Sequence, residues 1–203
     1  MANSIEFDLD GQHRPNAYPI LASLVTPRPI AWVTTVDAEG NVNAAPFSFF
    51  NVFGSNPPIV AFAPGNKEPG LPKDTAKNVR QSREFVINLV DQPVAEAMVA
   101  TSASLPYRTS ELDGLGLSLS KSSVVAPPRI SEAPAALECR EYTTMEIGTN
   151  RLVIGTVHRV HAREGLFDPE SLRFDQTNYH PVGRMASPDW YCLTDQLFNI
   201  EHP

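Results

Sequence analysis

The chain has 203 residues, of which 42% are hydrophobic and 19% charged, so disordered and coiled-coil proteins are excluded and one domain over residues 1–203 is expected. Its formal net charge of −7 argues against a nucleic acid or an anionic membrane as partner, because both bind clustered positive charge. The 19 prolines interrupt helices and central strands, which predicts many short elements joined by rigid turns.

The first part of the chain is rich in predicted strands. Apolar and β-branched runs predict strands at residues 20–24, 29–36, 42–53 and 59–63. Turn-forming residues at 37–41 separate two of these runs, so residues 30–36 and 42–53 are predicted to form a hairpin.

A helix is predicted next, where Lys73, Asp74 and Thr75 precede a stretch of helix formers that ends near Arg83. Asp74 or Thr75 can supply the side-chain oxygen that caps the free amides at a helix start. A strand at residues 84–90 and a short helix at 93–101 are predicted to follow.

The second half of the chain is less regular. Residues 102–130 mix Gly, Pro and Ser with little periodicity, which predicts surface loops with a short helix or two. Residues 135–147 and 151–161 are predicted to form a long hairpin around the turn at 148–150, and the chain after residue 165 is expected to be mostly irregular.

The order of these elements favours an antiparallel barrel with peripheral helices, because it lacks the strict alternation that builds a doubly wound parallel sheet. Neither G-x-G-x-x-G after a strand nor G-x-x-x-x-G-K-[ST] is present, so a nucleotide would have to be held in another way. Residues 1–10 do not resemble a signal peptide, and no run approaches the roughly 18 apolar residues of a membrane span. A cytoplasmic protein is therefore expected.

Residues 43–51 are the most unusual segment, because small residues, a proline and polar groups interrupt a predicted strand. Such a segment exposes main-chain groups, against which a flat aromatic ligand can lie while Ser48 and Asn51 reach outward. The alternative is a bulged edge strand whose phenylalanines fill the core.

Two further segments are candidates for ligand binding. The predicted helix start at Lys73 and Thr75, with Asn78 one turn on, offers free amides, a charge and a hydroxyl for a phosphate group. Its alternative is an ordinary capped helix. Trp32 and Thr34 point to the same side of a strand and together would form a ligand surface, although Trp32 can equally belong to the core.

The cysteines and histidines give weaker signals. Cys139 and Cys192 lie far apart without metal-ligand or redox spacing, which predicts two core thiols. His158 and His161 face opposite sides of a predicted strand, so no metal site is expected there. His180 lies in irregular sequence, and two interpretations of it stay open: a functional side chain or a solvated one. No Ser/His/Asp or Cys/His set supports hydrolysis.

Taken together, these segments resemble the flavin reductase family, whose members have an FMN-binding split-barrel fold. The resemblance runs from about Tyr18 to the C-terminus. Its marks are TPRPIAWVTT (26–35), Gly40, NAAPFSFFNV (43–52), PPIVAFAPG (57–65), KDTAKNVRQSREFVINLV (73–90), EAPAALEC (132–139), LVIGTVHRVHA (152–162), PVGRM (181–185) and Tyr191.

The resemblance implies a mainly β chain with peripheral helices, folded as an antiparallel Greek-key split barrel. It also implies a homodimer with FMN at the subunit interface, the isoalloxazine ring on the main chain of residues 45–48 and the phosphate near hydroxyl and basic side chains. The cofactor-binding residues it implies are Trp32, Thr34, Asn43, Ala45, Pro46, Phe47, Ser48, Asn51, Lys73, Thr75, Asn78 and Arg184.

Similar proteins reduce flavin with NADH or NADPH, often for a partner monooxygenase, and others act as electron carriers. The resemblance therefore implies an NAD(P)H-dependent flavin reductase, with two alternatives: a flavoredoxin-like electron carrier without its own nicotinamide site, and a member that has lost flavin. Hydride would pass from nicotinamide C4 to flavin N5, and no catalytic side chain is expected. The Gly-Asp-His motif of some reductases is absent, and the choices of NADH or NADPH and of FMN or FAD stay open.

Overall fold

The computed structural model describes residues 4–68, 70–103 and 111–201. The strands are β1 (Ala31–Val36), β2 (Val42–Phe47), β3 (Phe50–Ser55), β4 (Pro58–Phe62), β5 (Asn66–Glu68), β6 (Leu71–Pro72), β7 (Glu84–Asn88), β8 (Leu119–Ser120), β9 (Arg129–Ile130), β10 (Ala135–Ile147), β11 (Asn150–Ala162), β12 (Val182–Arg184) and β13 (Tyr191–Leu193). The α-helices are α1 (Ala17–Leu24), α2 (Asp74–Ser82) and α3 (Ala95–Ala100), with 3₁₀ turns at Arg14–Asn16, Gln92–Val94 and Gln176–Asn178. The chain is mainly β with few helices, as predicted.

Seven strands form one antiparallel sheet in the order β2-β1-β7-β10-β11-β4-β3. Its two edge strands, β2 and β3, are separated in sequence by Ser48 and Phe49 alone. So short a link spans at most about 11 Å, and the sheet must therefore curl until its edges approach each other. In the part of the chain that the structure describes, no ladder joins β2 to β3, so the sheet is not closed as a barrel. The Greek-key detail stays a prediction.

The inner face of the curled sheet carries the main core. Phe62 and Phe85 are fully buried there with ring centroids 5.3 Å apart, and Phe47 lies 5.4 Å from Phe62. Ala31 and Val33 of β1 belong to the same cluster. Burial of these side chains is the main favourable term that holds the curl.

The outer face of β1 and β2 packs under a second cluster. Trp32 and Ala44 are fully buried in it, together with Met98 of α3 and Ile130 of β9. Alternate residues of β1 thus serve two cores, which explains why Ala31–Val36 is buried along almost its whole length. No helix among the described residues is both long and apolar enough to cross a membrane.

The predicted strand at residues 20–24 is wrong, because this segment lies in helix α1. Its Pro19 stands in the first turn, where a helix tolerates proline. At the other end, Arg28 donates to the carbonyls of Ala22 and Val25 and so satisfies groups that a helix end leaves free. A short apolar run does not distinguish strand from helix, and these contacts decide it.

Two predicted boundaries also differ from the structure. Residues 42–53 form two strands on opposite edges of the sheet, rather than one strand. Lys73 is the residue that precedes α2, and no side chain in the described ranges caps this helix. The prediction that Asp74 or Thr75 is the cap is therefore wrong. The Asp74 carboxylate instead accepts from Lys67, and the Thr75 hydroxyl lies beside the Asn43 amide.

The remaining elements follow the sequence more closely. The strand at 59–63 is confirmed as β4, the strand at 84–90 as β7 and the long hairpin as β10 and β11. The described part of residues 102–130 contains β8 and β9 and no helix, while residues 104–110 lie outside the described residues. Cys139 is buried, but Cys192 is only half-buried, so the prediction of a second core thiol is wrong.

Candidate functional site

A polar crevice lies between edge strand β2 and the start of helix α2. Five of the residues predicted for the cofactor line it: Asn43, Ala45, Pro46, Lys73 and Thr75. Thr101, Ser102, Lys67 and Glu111 also line it. The main-chain segment and the helix start, which are some 30 residues apart in sequence, thus share one crevice.

The start of α2 makes one wall of the crevice favourable for an anion. No side chain of the described residues caps the helix, so its first-turn amides are free of acceptors from them, and they form the positive end of the helix dipole. Lys73 lies at this end with its Nζ 5.6 Å from the centroid of the Phe47 ring. Burial, and secondarily the charge of Lys67, lowers the pKa of Lys73. No carboxylate pairs with Lys73 among the described residues.

The opposite wall is the free edge of β2. The amide of Ala44 points away from β1 and donates to Glu111 Oε2 at 3.2 Å. Because main-chain groups alternate along a strand, Pro46 faces the same free side, where it offers a carbonyl but no N–H. This edge therefore presents main-chain carbonyls as acceptors, and the Ala44 amide as a donor, to a ligand.

Two polar contacts hold α2 against the strands. The Asn43 amide lies 3.0 Å from the Thr75 hydroxyl, and Asn78 donates to the hydroxyl of Thr35 at 3.0 Å. Asn78 is buried, and its Oδ1 has no hydrogen-bond partner among the described residues. Asn78 therefore attaches helix α2 to strand β1 and does not line the crevice.

The crevice also contains carboxylates. Asp74 accepts from Lys67 Nζ at 2.7 Å. Glu111 is half-buried, and burial raises its pKa above the ordinary value of a glutamate. The Asn43 amide is fully satisfied when its oxygen accepts from Thr75 and its nitrogen donates to Glu111 Oε1 at 3.2 Å.

Trp32 and Thr34 do not reach the crevice surface, because both are fully buried. Trp32 Nε1 donates to the Thr101 hydroxyl at 2.8 Å, and Thr34 donates to the Pro128 carbonyl at 2.6 Å. Trp32 therefore stands behind the crevice wall and fixes Thr101 in it.

The other four predicted residues also lie outside the crevice. Phe47 is buried in the main core, and Ser48 accepts from Arg28 Nε at 3.4 Å. Asn51 is exposed on β3 beside an apolar surface. Arg184 is held at the C-terminal end of the fold, where its guanidinium stacks 4.6 Å from the centroid of the Tyr191 ring.

Sequence reasoning missed Lys67 and Glu111. Lys67 carries a weak signal, since it is a second lysine six residues before Lys73. Glu111 lies in the aperiodic stretch after α3, and no local pattern marks it. Only the fold brings it to β2.

The histidines that the structure describes form no site with each other. His158 lies 2.9 Å from the Thr156 hydroxyl, and His161 lies 2.5 Å from Glu138 Oε1. The side chain of His180 is exposed, and its carbonyl accepts from the amide of Gln92. Within the described residues, no group of three or more His, Cys, Asp or Glu side chains can hold a metal.

The size of the crevice limits what it can enclose. Its volume is about 60 Å³, far below the roughly 300–1,000 Å³ of pockets that enclose a whole small-molecule ligand. A larger cleft of about 470 Å³ lies beside α2 near Arg80 and Glu141, but no predicted residue lines it. The crevice can receive a group the size of a phosphate, whereas a tricyclic ring must lie outside it along the edge of β2.

The fold and site thus define a protein with a curled antiparallel sheet and a polar crevice between an edge strand and a helix start. The sequence model of the flavin reductase like domain matches residues 23–183, and the chain belongs to this family.

Comparisons over the whole chain agree with this. An uncharacterized protein of Deinococcus radiodurans is 38% identical over 199 residues, which cover 96% of this chain and 88% of the relative. The structure is similar to nitrilotriacetate monooxygenase component B from Bacillus cereus, with a TM-score of 0.92, 29% identity and coverage of 98% and 100% of the two chains. It is also similar to 2-nitrobenzoate 2-nitroreductase NbaA of Pseudomonas fluorescens, with a TM-score of 0.87, 34% identity and coverage of 98% and 96%.

Proposed function

We propose that the chain binds FMN and is an NAD(P)H-dependent flavin reductase. The observation that carries the proposal is the crevice in which Ala45 and Pro46 of β2 meet Lys73 and Thr75 of α2. Membership of the flavin reductase like family supports flavin as the ligand.

The residues fit the two ends of FMN differently. Lys73, the Thr75 hydroxyl and the first amides of α2 would hold the phosphate, because they offer positive charge and hydrogen-bond donors at one place. The free edge of β2 from Ala45 onward would carry the ring. The flavin, when bound, supplies the redox chemistry, while these residues bind and orient it. No side chain is assigned as an acid or base.

We also propose that the protein works as a homodimer. The crevice is too small to enclose the ring, so a second subunit would have to cover it. Beside β3, an apolar edge surface formed by Phe49, Phe53, Met145 and Ile147 is exposed in the single chain. Exposed apolar surface of this kind is typical of subunit interfaces.

The deciding experiment is an absorption spectrum of the protein with FMN, followed by anaerobic addition of NADH and then NADPH. We expect flavin bands that one or both donors bleach, and turnover of that donor when FMN is in excess. Retained flavin that neither donor reduces would select the electron-carrier alternative. A colourless protein whose melting temperature FMN does not change would reject flavin binding.

The similar structures suggest two electron acceptors. Similarity to nitrilotriacetate monooxygenase component B supports reduced flavin supplied to an oxygenase. Similarity at 34% identity to 2-nitrobenzoate 2-nitroreductase supports a second candidate, reduction of an aromatic nitro compound by the bound flavin. Donor oxidation that depends on added 2-nitrobenzoate at a trace concentration of FMN would favour the nitroreductase.

A further inference from the structure

The charges in the crevice cancel. Among the described residues, Lys67 and Lys73 line it together with Asp74 and Glu111, so two formal positive charges face two negative ones. A phosphate monoester carries nearly two negative charges at neutral pH. The crevice therefore has the donors for a phosphate but little net attraction for it, in a chain whose own net charge is −7.

The two carboxylates have different surroundings. Asp74 is bound to Lys67 at 2.7 Å and stands in the first turn of α2, where the helix dipole stabilises a negative charge. Glu111 forms no ion pair among the described residues. Its Oε2 accepts from the Ala44 amide at 3.2 Å, and its Oε1 lies 3.2 Å from the Asn43 amide nitrogen.

These partners of Glu111, the Ala44 and Asn43 amides, are hydrogen-bond donors beside Lys73 and Thr75, the residues proposed to hold the phosphate. Asn43 connects them to the Thr75 hydroxyl at 3.0 Å, and thus to the start of α2. The carboxylate of Glu111 therefore lies where an anionic ligand would lie, with the same kind of hydrogen bonds.

We infer that Glu111 competes with the phosphate end of FMN for this crevice, so that the flavin is held weakly enough to be exchanged. The inference rests on the proposed function and deepens it. A competing carboxylate suits a reductase that releases reduced flavin, whereas an electron carrier needs a permanently bound one. Burial, which raises the pKa of Glu111, also makes its protonation easier when a phosphate enters.

The test compares two flavins that differ only in the phosphate. The affinities of FMN and riboflavin are measured by quenching of flavin fluorescence for the unaltered protein and for Glu111→Gln, Lys73→Met and Glu170→Gln. Glu170 is exposed in the loop after β11, so its substitution makes the same change of net charge away from the crevice.

We expect Glu111→Gln to tighten FMN binding about tenfold, as removal of one charge at close range would do, and to leave riboflavin within about twofold. Lys73→Met should weaken FMN and spare riboflavin, and Glu170→Gln should change neither. Riboflavin binding also reports that each variant is folded.

An unchanged FMN affinity in Glu111→Gln, with riboflavin still bound, overturns the inference and leaves the proposed function intact. An equal change for both flavins overturns it as well, because Glu111 would then act on the ring. Failure of the unaltered protein to bind either flavin overturns the proposed function itself.

Discussion

At the scale of single residues, Glu138 shows how a buried charge is satisfied. Its carboxylate is fully buried in β10 and accepts from the amides of Ser123 and Val124, each at 2.7 Å, and from His161 at 2.5 Å. Burial alone would raise the pKa of Glu138, but these hydrogen bonds outweigh it and hold the pKa below the usual range. Glu138 thus ties the loop after β8 to the sheet.

Glu138→Gln should therefore reduce the free energy of unfolding at pH 7 by about 1–3 kcal/mol, because the amide cannot accept at both ends and leaves one backbone N–H unpaired. A carboxyl whose pKa is lowered on folding stabilises the protein above its unfolded pKa of about 4.3. That contribution is lost as the pH falls through the folded pKa.

Urea unfolding at pH 7 and at pH 4 or below checks both the destabilisation by Glu138→Gln and its dependence on pH. The difference between the unaltered protein and Glu138→Gln should shrink as the pH falls, while the exposed Glu170→Gln should match the unaltered protein at pH 7. A difference that stays constant with pH would mean that the charge of Glu138 contributes nothing.

At the scale of elements, the β10–β11 hairpin depends on a close approach at Gly155. A Cβ built on Gly155 would stand 2.5 Å from the ring of Phe85 and 3.1 Å from the carbonyl of Arg140. Phe85 is fully buried against Phe62, so its ring has no free space to move into. Glycine here allows the longest hairpin to pack directly on the main core.

We expect Gly155→Ala to lower the free energy of unfolding by about 1–3 kcal/mol through overpacking. Gly65→Ala is the matched control, because nothing lies within 4 Å of a Cβ at Gly65 and its φ is not positive. Thermal unfolding of both variants checks the prediction. Equal melting temperatures would show that the core accommodates the extra methyl group.

At the scale of the whole molecule, the curl of the sheet leaves two edge strands, β2 and β3, each with one side unpaired in the part of the chain described. β3 is largely exposed and carries Val52 and Phe53, which are 61% and 67% accessible. Open edges with apolar side chains are normally covered in soluble proteins. This is the molecular reason for proposing a second subunit here.

Phe53→Glu should therefore shift the protein from a dimer towards a monomer, because a buried unpaired charge is costly at an interface. Light scattering coupled to gel filtration should give about twice the 22.2 kDa chain mass for the unaltered protein and a lower mass for the variant. Val160→Glu, at an equally exposed position of β11, should stay dimeric. A monomeric unaltered protein would contradict the proposed dimer.

The sequence by itself determined the elements whose signals are local. Two long runs separated by turn residues predicted the β10–β11 hairpin, helix formers predicted α2, and ordered motifs indicated the flavin reductase family. It also selected the main-chain segment at Ala45 and the helix start at Lys73 as parts of one site. That both line the same crevice agrees with this hypothesis.

Only the tertiary structure decided the rest. The short apolar run at residues 20–24 is compatible with a strand and with a helix, and contacts from Arg28 favour the helix. Trp32 belongs to a core because α3 covers its face of the sheet. Glu111 reaches β2 across more than 60 residues of chain. Such placements depend on which distant segments meet, and a local pattern of side chains contains no information about that.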